Sequence, residues 1–475
     1  MRLFDSITQE LKYKVLREVA RLAFDDKLED SYYAIPRIIV KDNDDSMRCC
    51  IYKDRAIVEE MVRVVVGAPK NPAAILDVMD IACDECPIDK YTVSEGCRGC
   101  ITHKCVLNCP VGAISIKNKR AVIDQEKCIE CGRCYKSCPY TAIREQIRPC
   151  VKACKINAIK VNKDRKAIID HEKCVSCGAC MTKCPFGAIQ DRSFMVDAIR
   201  LIKNSENGQR YNIYAIIAPA IASQFKYAKL GQIVTAIKKL GFNSVVEVAL
   251  GADAVAYNEA QELAEKGRLL SSCCPAFVSY VEKAFPALVP LISHNVSPMA
   301  MTAKMIKKQD PGAKIVFVGP CVAKKYEMTR ENIKGLIDSV ITFEELQALI
   351  DSRDIHAEEL EESVIDNASF YGRIFARIGG LSEAVKESLK EAGITDFELK
   401  NVIGDGLDQI KIALLKLSKN VLDGNFVEGM ACTGGCVNGA GCITHDVKNA
   451  MEVDKYGKEA MDRTIKEAIA PYPVD

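Results

Sequence analysis

The sequence lacks an excess of charge of either sign, because 65 lysines and arginines stand against 64 aspartates and glutamates in 475 residues. No basic stripe or charged block interrupts this balance, which argues against nucleic acids and anionic membranes as partners. Long apolar runs are also absent. The longest, residues 213–222, is far shorter than the roughly 20 residues of a transmembrane helix.

The amino-terminal residues contain no apolar core of a signal peptide, and neither G-x-G-x-x-G nor a Walker pattern occurs in the chain. These absences predict a cytoplasmic protein that does not use NAD or ATP directly. The length predicts two or three domains with a sizeable buried core.

What the sequence has in abundance is cysteine, with 24 residues, of which 18 lie before residue 190 and six after residue 270. In a small secreted protein such a number would suggest disulfides. Here the chain is long and carries C-x2-C runs, which favours metal ligation.

Three regions differ in pattern. Residues 1–80 are predicted to be mainly helical, since Leu11, Val15 and Val19 recur at helical spacing. Residues 81–190 are predicted to form an α+β region of bacterial ferredoxin type with two tandem repeats that bind several clusters. Residues 191–475 alternate strand-like runs with helical patterns, which predicts an α/β catalytic domain of parallel sheets with flanking helices. The strand-like runs are residues 212–218, 244–248, 314–318 and 339–341.

An internal repeat marks the cysteine-rich region. Residues 109–128 resemble residues 154–174, and each copy leads into a C-x2-C-x2-C-x3-C-Pro run. In ferredoxins with two 4Fe–4S clusters, three cysteines of such a run bind one cluster and the fourth binds its neighbour. The tail before proline is typical of ferredoxins and not of zinc knuckles.

Crossing the fourth ligands predicts three accessory clusters, which we number by their position in the chain. The first set is Cys97, Cys100, Cys105 and Cys138; the second is Cys109, Cys128, Cys131 and Cys134; the third is Cys154, Cys174, Cys177 and Cys180. A fourth set, Cys83, Cys86, Cys150 and Cys184, predicts another cluster. Its alternative is a decayed half-site with four free thiols.

The six later cysteines form three islands, around Cys273-Cys274, Cys321, and Cys432 with Cys436, with Cys442 just beyond. Each island follows a strand-like run, so we expect the islands to converge at the carboxyl ends of parallel strands. Four of these cysteines suffice for one more 4Fe–4S cluster. One thiol of the Cys273-Cys274 pair is then left beside it.

The islands resemble the three signature segments of the FeFe-hydrogenases, also called iron-only hydrogenases, and their departures resemble a divergent, group B-like class. The resemblance implies the family's H-cluster between two lobes: a 4Fe–4S cluster joined to a two-iron subsite that carries CO, cyanide and a dithiolate bridge. By this resemblance Cys274, Cys321, Cys432 and Cys436 hold the 4Fe–4S cluster, and Cys436 also bridges to the subsite. The other implied cofactor contacts are Ala218, Pro219, Pro320, Met430 and Gly435.

The resemblance also implies a proton path that runs from Glu262 through Ser293 and Glu259 to Cys273, the thiol nearest the subsite. The spacing of three puts both glutamates on one face of a helix. Lys324 would donate to a cyanide, as a cationic donor to an anionic ligand.

Five positions depart from the family's usual residues: Phe277 for tryptophan, Gly319 for methionine, Ala220 for serine, Met299 for glutamine, and Ala440 in a glycine run. Loss of polar donors near the subsite should change its hydrogen bonding.

The resemblance implies reversible conversion of protons and electrons to H₂. It also implies electron exchange through the 4Fe–4S clusters with ferredoxin or a similar carrier, and hydrogenase maturation proteins as partners. Two alternatives remain: an H₂ or redox sensor with the same cofactor, and an iron–sulfur assembly-type relative without the two-iron subsite. A homodimer is a candidate assembly. Full occupancy corresponds to about 22 iron atoms, and to about 18 without the fourth accessory cluster.

Overall fold

The computed structural model describes residues 4–86, 89–461 and 464–472. The amino-terminal region is helical, as predicted. Ser6 caps the first helix by accepting the Gln9 N–H at 3.2 Å, and Val15, Leu16 and Val19 of that helix are fully buried. The helices are α1 (Ile7–Phe24), α2 (Leu28–Ser31), α3 (Ile35–Ile39) and α4 (Ile51–Val65).

The cysteine-rich region consists of short strands and single helical turns. Its elements are β1 (Leu76–Val78), β2 (Tyr91–Val93), α5 (Lys104–Leu107), β3 (Ile114–Lys117), β4 (Arg120–Ile123), α6 (Arg133–Ser137), β5 (Ile143–Glu145), α7 (Pro149–Ala153), β6 (Ile159–Val161), β7 (Ala167–Ile169), α8 (Ala179–Thr182) and β8 (Ile189–Asp191).

The strand pairings nest the two repeats, whereas the sequence predicted a tandem order. β1 pairs antiparallel with β8, and β2 pairs antiparallel with β5 inside that span. The β2–β5 pair encloses the hairpin β3–β4, and we call these four strands with their helical turns the inner module. The β1–β8 pair and the hairpin β6–β7 form the outer module. Because Tyr91 lies opposite Glu145, the inner module leaves and rejoins the outer module at one place, as tolerated domain insertions do.

The third region is α/β, as predicted, with helices packed on parallel strands. Its elements are α9 (Met195–Asn204), β9 (Ile213–Ile217), α10 (Leu230–Lys239), β10 (Ser244–Glu247), α11 (Val248–Lys266), β11 (Leu269–Leu270), α12 (Pro275–Ala284), α13 (Pro298–Gln309), β12 (Lys314–Gly319), α14 (Val322–Glu327), β13 (Ser339–Thr342), α15 (Phe343–Ser352), α16 (Phe370–Ile374), α17 (Gly380–Glu391), β14 (Asn401–Asp405), α18 (Gly406–Ser418), β15 (Phe426–Met430), α19 (Asn449–Lys458) and α20 (Ile465–Ile469).

Two parallel sheets organise this region. The first has the order β10-β9-β12-β13 and contains all four strands that the sequence predicted. The second has the order β11-β15-β14. β14 was not predicted, because its sequence Asn-Val-Ile-Gly-Asp is half exposed and lacks the continuous apolar pattern of a central strand.

No helix among the described residues is long and apolar enough to cross a membrane.

A buried charge network ties the three regions together. Lys12 of α1 bonds Asp191 of β8 and Glu344 of α15, each at 2.7 Å. Lys325 of α14 bonds the other oxygen of Asp191 at 2.7 Å and Glu345 of α15 at 2.9 Å. Since all five side chains are buried, each charge depends on its partners for stabilisation.

Replacing Lys12 with methionine should therefore destabilise the protein by about 3–5 kcal/mol, because it leaves Glu344 buried without its counter-charge. Lys14→Met on the same helix is the matched control. Lys14 is half exposed and, among the described residues, forms an ion pair with Glu10 alone on the surface, so that change should stay within about 0.5 kcal/mol. Denaturant midpoints of the two variants measure the difference, and equal midpoints would contradict the proposed importance of this network.

Candidate functional site

The three cysteine islands meet where strands of the two parallel sheets end. β11 leads to Cys273 and Cys274, β12 leads to Cys321, and β15 leads to Cys432. Cys274 and Cys321 are the residues that precede α12 and α14, so each lies at a strand-to-helix turn. The predicted convergence at carboxyl ends of strands is thus seen on both sheets.

Four thiols at this meeting point influence one another. Burial, together with Cys321, Cys436 and Cys274, raises the pKa of the Cys432 thiol well above its usual range. Burial and Cys274 raise the pKa of Cys321 to about 11. Four thiolates cannot share a buried space without a cation to balance them, and metal binding replaces the protons of such ligands. The donor set therefore fits a 4Fe–4S cluster.

The accessory cysteines form quartets of the predicted composition. The first set lines one cavity, together with Arg98, Lys104, Ala142 and Ile143, and the second set lines another together with Tyr91. In the third set, Cys154 and Cys174 help raise the pKa of Cys177 beyond the effect of burial. Among the described residues, no group of histidine, cysteine, aspartate or glutamate side chains is arranged to hold a single metal ion.

The fourth set is also brought together. Burial, with Cys184, Cys83 and Cys86, raises the pKa of Cys150 to about 11. All four side chains are buried. Their positions match those of the inner module, because the Ala167 N–H donates to Cys83 Sγ at 3.4 Å as the Ala121 N–H donates to Cys97 Sγ.

Arg148, which the sequence analysis did not single out, gives a further reason to place a cluster on the fourth set. Its guanidinium is buried and donates to Cys83 Sγ at 3.8 Å. It forms no ion pair with a carboxylate in the part of the chain that the structure describes. A buried cation without a counter-charge is costly, and four thiolates around an iron–sulfur core would supply that charge, which four neutral free thiols would not.

Contacts between quartets indicate their order. Cys150 of the fourth set lies near Cys180 of the third set. Cys177 of the third set lies near both Cys274 and Cys432 of the islands. The third set therefore lies between the fourth set and the island site.

The predicted proton-path residues form a chain of contacts. Ser293 Oγ donates to Glu262 Oε2 at 2.9 Å and lies near enough to Glu259 to act on the pKa of that carboxyl. Ser272, which precedes Cys273 in the chain, connects Glu259 to the first cysteine island. The Ser272 N–H and Oγ donate to Glu259 Oε1 at 3.0 and 3.1 Å. Next to Ser272 stands Cys273, whose thiol pKa is raised by burial and by Glu259.

The two glutamates have opposite environments. Burial raises the pKa of Glu259 to about 7, although the hydrogen bonds from Ser272 and the nearby Ser293 hydroxyl oppose the rise. Partial burial acts on Glu262 too, but the Lys266 ammonium and the His294 N–H outweigh it and lower its pKa. Two acids whose pKa values are shifted in opposite directions suit successive steps of proton transfer.

One oxygen on this path has no partner. Glu259 Oε2 is buried and accepts no hydrogen bond from the described residues. An unsatisfied buried oxygen is rare and calls for an explanation. A role in accepting a proton and passing it on is an explanation that fits this oxygen.

Lys324 lies among the island thiols. Its Nζ donates to Glu327 at 2.6 Å and to the Cys273 carbonyl at 3.3 Å, and its charge partly opposes the rise that burial causes in the pKa values of Cys321 and Cys436. Glu327, which holds this ammonium in place, was not among the residues predicted from the sequence. The helical spacing of three between Lys324 and Glu327 was the available signal.

Ser272 and Glu428 were missed as well. Ser272 was hidden in the first island as a neighbour of the cysteines. Glu428 is fully buried on β15, accepts N–H groups of Gly379 and Ser382 at 2.7 and 2.9 Å, and helps raise the pKa of Cys273. Nothing in its sequence context distinguishes it from an ordinary strand residue.

The remaining predicted contacts surround the islands. Ala218 bonds β12 through the Val318 carbonyl at 2.9 Å, and the Pro320 carbonyl accepts the Gly441 N–H at 2.8 Å. Met430 ends β15 and is buried, and Pro219 follows Ala218 at the end of β9. Gly435 has φ +96°, and a Cβ there would lie 2.6 Å from the Ile378 nitrogen, so only glycine fits this turn.

Aromatic rings occupy the space at two of the positions that depart from the family's usual residues, 277 and 319. The Phe277 ring covers Gly429, where a Cβ would come within 2.5 Å of it. Likewise the Phe317 ring occupies the space into which a side chain at residue 319 would project, next to Ala218. Both rings are buried, so they fill this space in place of the family's larger side chains.

A fold of two parallel sheets with cysteine quartets at their edge, preceded by nested ferredoxin modules, defines a class of iron–sulfur proteins. Family models match in three places: "Iron only hydrogenase large subunit, C-terminal domain" over residues 211–440, "4Fe-4S dicluster domain" over 96–142, and "4Fe-4S binding domain" over 167–190.

Iron hydrogenase 1 of Clostridium pasteurianum is 31% identical over 395 residues, which cover 71% of this chain and 67% of that protein. The chain belongs to the FeFe-hydrogenase family. The cytosolic Fe–S cluster assembly factor NAR1 of Kluyveromyces lactis is also similar, at 28% identity over 253 residues, 39% of this chain and 54% of that protein. A solved structure of FeFe-hydrogenase HydA1 from Chlamydomonas reinhardtii superposes with a TM-score of 0.50 at 20% identity, covering 59% of this chain and 93% of that one. That likeness concerns the fold alone.

Removing the thiols of Cys83 and Cys86 by serine substitution should lower the iron content of the holoprotein by about four atoms, since one 4Fe–4S cluster is lost. Cys49→Ser with Cys50→Ser is the matched control, because this adjacent pair belongs to none of the quartets. Iron analysis per polypeptide measures both. Unchanged iron in the Cys83/Cys86 variant would support free thiols at the fourth set.

Glu259 should titrate with a midpoint near pH 7, because burial favours its neutral form. The infrared carboxyl band that disappears in Glu259→Gln should therefore be present at pH 5 and absent at pH 9 in the unaltered protein. Glu262→Gln is the control, since the lowered pKa of Glu262 keeps its own band out of this range. A Glu259 band that is already absent at pH 5 would contradict the assignment.

Proposed function

We propose that this protein is a hydrogenase that interconverts H₂ with two protons and two electrons. The observation that carries the proposal is the series of polar contacts that leads from the partly buried Glu262 carboxylate to Glu259 and Ser272, next to the buried Cys273 thiol. When bound, the H-cluster would supply the iron centre at which protons and electrons combine. Cys274, Cys321, Cys432 and Cys436 would hold it.

Glu262 is the outer end of the path. It is held by the Lys266 ammonium at 2.6 Å and by the His294 N–H at 3.0 Å, and both residues are exposed. Its low pKa keeps it ionised at neutral pH, so it can accept a proton from solvent. The Ser293 hydroxyl, which both donates and accepts, then connects it to Glu259.

Glu259 is suited to the inner step. With a pKa of about 7, it can take up and release a proton at neutral pH, which is the condition for efficient proton transfer. Its unpartnered Oε2 is the oxygen available for this exchange. Cys273 is the next group, and burial with the neighbouring Glu259 charge keeps its thiol protonated.

Lys324 would donate to an anionic ligand of the two-iron subsite. Its ammonium is buried and already fixed by Glu327, so little side-chain freedom is lost when a further acceptor binds. A charged donor and a charged acceptor form a strong hydrogen bond.

The accessory quartets support electron exchange with ferredoxin or a similar carrier. We take residues 81–190 as the electron-transfer region and 191–475 as the catalytic region, with 1–80 as a helical addition. Maturation proteins would be needed to install the two-iron subsite.

The second candidate is an iron–sulfur assembly-type role, which the similarity to NAR1 favours. Such a protein needs the cysteine quartets but no route for protons. The chain of Glu262, Ser293, Glu259 and Cys273 supports the hydrogenase instead. A sensor would use the same site without sustained turnover.

Cys273→Ala in the fully matured protein tests the proposal. We expect unchanged iron content and H₂ turnover with methyl viologen reduced by at least about 100-fold, the lower range for loss of a proton-transfer group. Cys442→Ala is the matched control: that thiol is fully buried, donates to the Val437 carbonyl at 3.3 Å and belongs to no quartet.

Turnover that survives in Cys273→Ala would refute the proton route. Infrared spectra of the matured protein separate the two functions, because bands of CO and cyanide are expected only for the hydrogenase. Their absence, with all 4Fe–4S clusters present, would favour the assembly-type role. Bands without measurable turnover would favour the sensor.

A further inference from the structure

We propose that an acidic one-electron carrier protein docks on the outer end of the inner ferredoxin module, at a surface we call the distal patch. It consists of Arg98, Ile101, Lys104, Lys119 and Arg120, all of which are exposed. The proposal rests on the proposed function, since it names the place where the electron partner of the hydrogenase binds.

The first cysteine set is the outermost one. The inner module joins the rest of the chain at the Tyr91 end of the β2–β5 pair, where the Gln146 N–H bonds the Lys90 carbonyl at 2.7 Å. Tyr91 lines the cavity of the second set. Ile143, at the opposite end of the same strand pair, lines the cavity of the first set. The first set is thus farther from the island site than the second.

The inner module is basic although the whole chain is nearly neutral. Between residues 90 and 147 there are ten lysines and arginines but five aspartates and glutamates, a net formal charge of +5 against +1 for the entire chain. In the described residues only Lys90 and Lys127 of these ten cations form ion pairs, with Glu145 and Asp124. The other eight are free to interact with an acidic partner.

The cations of the distal patch lie close to the first set. Arg98 and Lys104 line its cavity. Lys119 and Arg120 stand on the β3–β4 hairpin, and the next residue, Ala121, donates its N–H to Cys97 Sγ at 3.4 Å. A partner seated on these four cations would therefore lie against the outermost cluster site.

An apolar residue stands within this basic surface. Ile101 is 95% exposed and lies between Cys100 and His103, both of which line the first cavity. A protruding apolar side chain surrounded by charges is a common arrangement at the centre of protein interfaces. It would not be needed for binding a simple anion.

The patch is held in one shape before any partner binds. Gly99 has φ +56°, and its Cα packs so closely on the Lys119 carbonyl that no Cβ could be placed there. The loop that carries Arg98 and Ile101 is thereby fixed against the hairpin that carries Lys119 and Arg120. Pre-organisation of this kind reduces the entropy lost on binding.

These features fit a small acidic protein better than nucleic acid or a membrane. Electron-transfer complexes are small, transient and steered by complementary charge. Five exposed residues around one cluster match that scale. Their attraction should weaken with salt, because exposed charges are screened within about 8 Å at physiological ionic strength.

The test uses the holoprotein and a purified acidic bacterial ferredoxin with two 4Fe–4S clusters, with binding measured by calorimetry at low and high salt. The doubly substituted variant Lys119→Glu/Arg120→Glu should bind about tenfold or more weakly at low salt, and Ile101→Asp should also weaken binding. Lys238→Glu/Lys239→Glu is the matched control. It reverses the same charge on two adjacent exposed lysines of α10, distant in sequence from the clusters.

Iron content and methyl viologen activity of the patch variants should equal those of the unaltered protein. The proposal is overturned if the patch variant binds ferredoxin normally, if the α10 control loses as much affinity, or if only duplex DNA or anionic vesicles bind the patch. Methyl viologen activity distinguishes the two proposals. If it is absent while ferredoxin binding still depends on the patch, the hydrogenase function fails and the docking surface stands; if it is present and the patch has no effect, only the docking surface fails.

Discussion

Mutual repulsion of buried thiolates is the constraint on which this structure depends. Five quartets of cysteines are gathered in confined sites, and burial together with neighbouring thiols raises the pKa of members such as Cys150, Cys177 and Cys432. A protein without metal must keep these thiols protonated, whereas iron allows all four of a quartet to ionise. Cluster binding and the stability of the fold are therefore coupled. The guanidinium of Arg148 lies beside Cys83 and forms no ion pair with a carboxylate of the described residues, so this buried cation also favours ionised thiolates.

The nested arrangement follows from the way ferredoxin ligands are shared. Each cluster takes three cysteines from one half of a module and the fourth from the other half. The outer module can therefore accept a whole inner module between Cys86 and Cys150, provided that the insertion returns to its starting point. The pairing of Tyr91 with Glu145 meets this condition. The cysteine quartets therefore follow one another in a line. The inner module lies at its outer end, and the third set lies beside Cys274 and Cys432.

Much of the site could be predicted from the sequence, because cluster ligands are fixed by short local spacings. The quartets were predicted from C-x2-C runs, whereas the proposed proton path was predicted from the resemblance of the helix that carries Glu259 and Glu262 to that of a known family. The nesting could not be predicted, since β1 and β8 are only three residues long and carry little pairing signal. The network around Lys12 and Lys325 was also missed, because lysine is exposed in most proteins and the residues that bury it come from three distant regions. Ser272 was hidden for a different reason: its hydroxyl matters only through a contact with a residue on another helix.

The departures from the family pattern change the polarity of the site more than its shape. Phe317 fills the space beside Gly319, and Phe277 covers Gly429, so aromatic rings occupy the space next to both glycines. Aromatic rings fill volume but donate no hydrogen bond from their faces. Polar control is consequently left to Lys324 with Glu327, to Glu259 with Ser272, and to Cys273. These groups belong to the same small region, so a chain can lose several of the family's usual side chains there and still retain the carboxyl, hydroxyl and thiol groups of the proposed proton path.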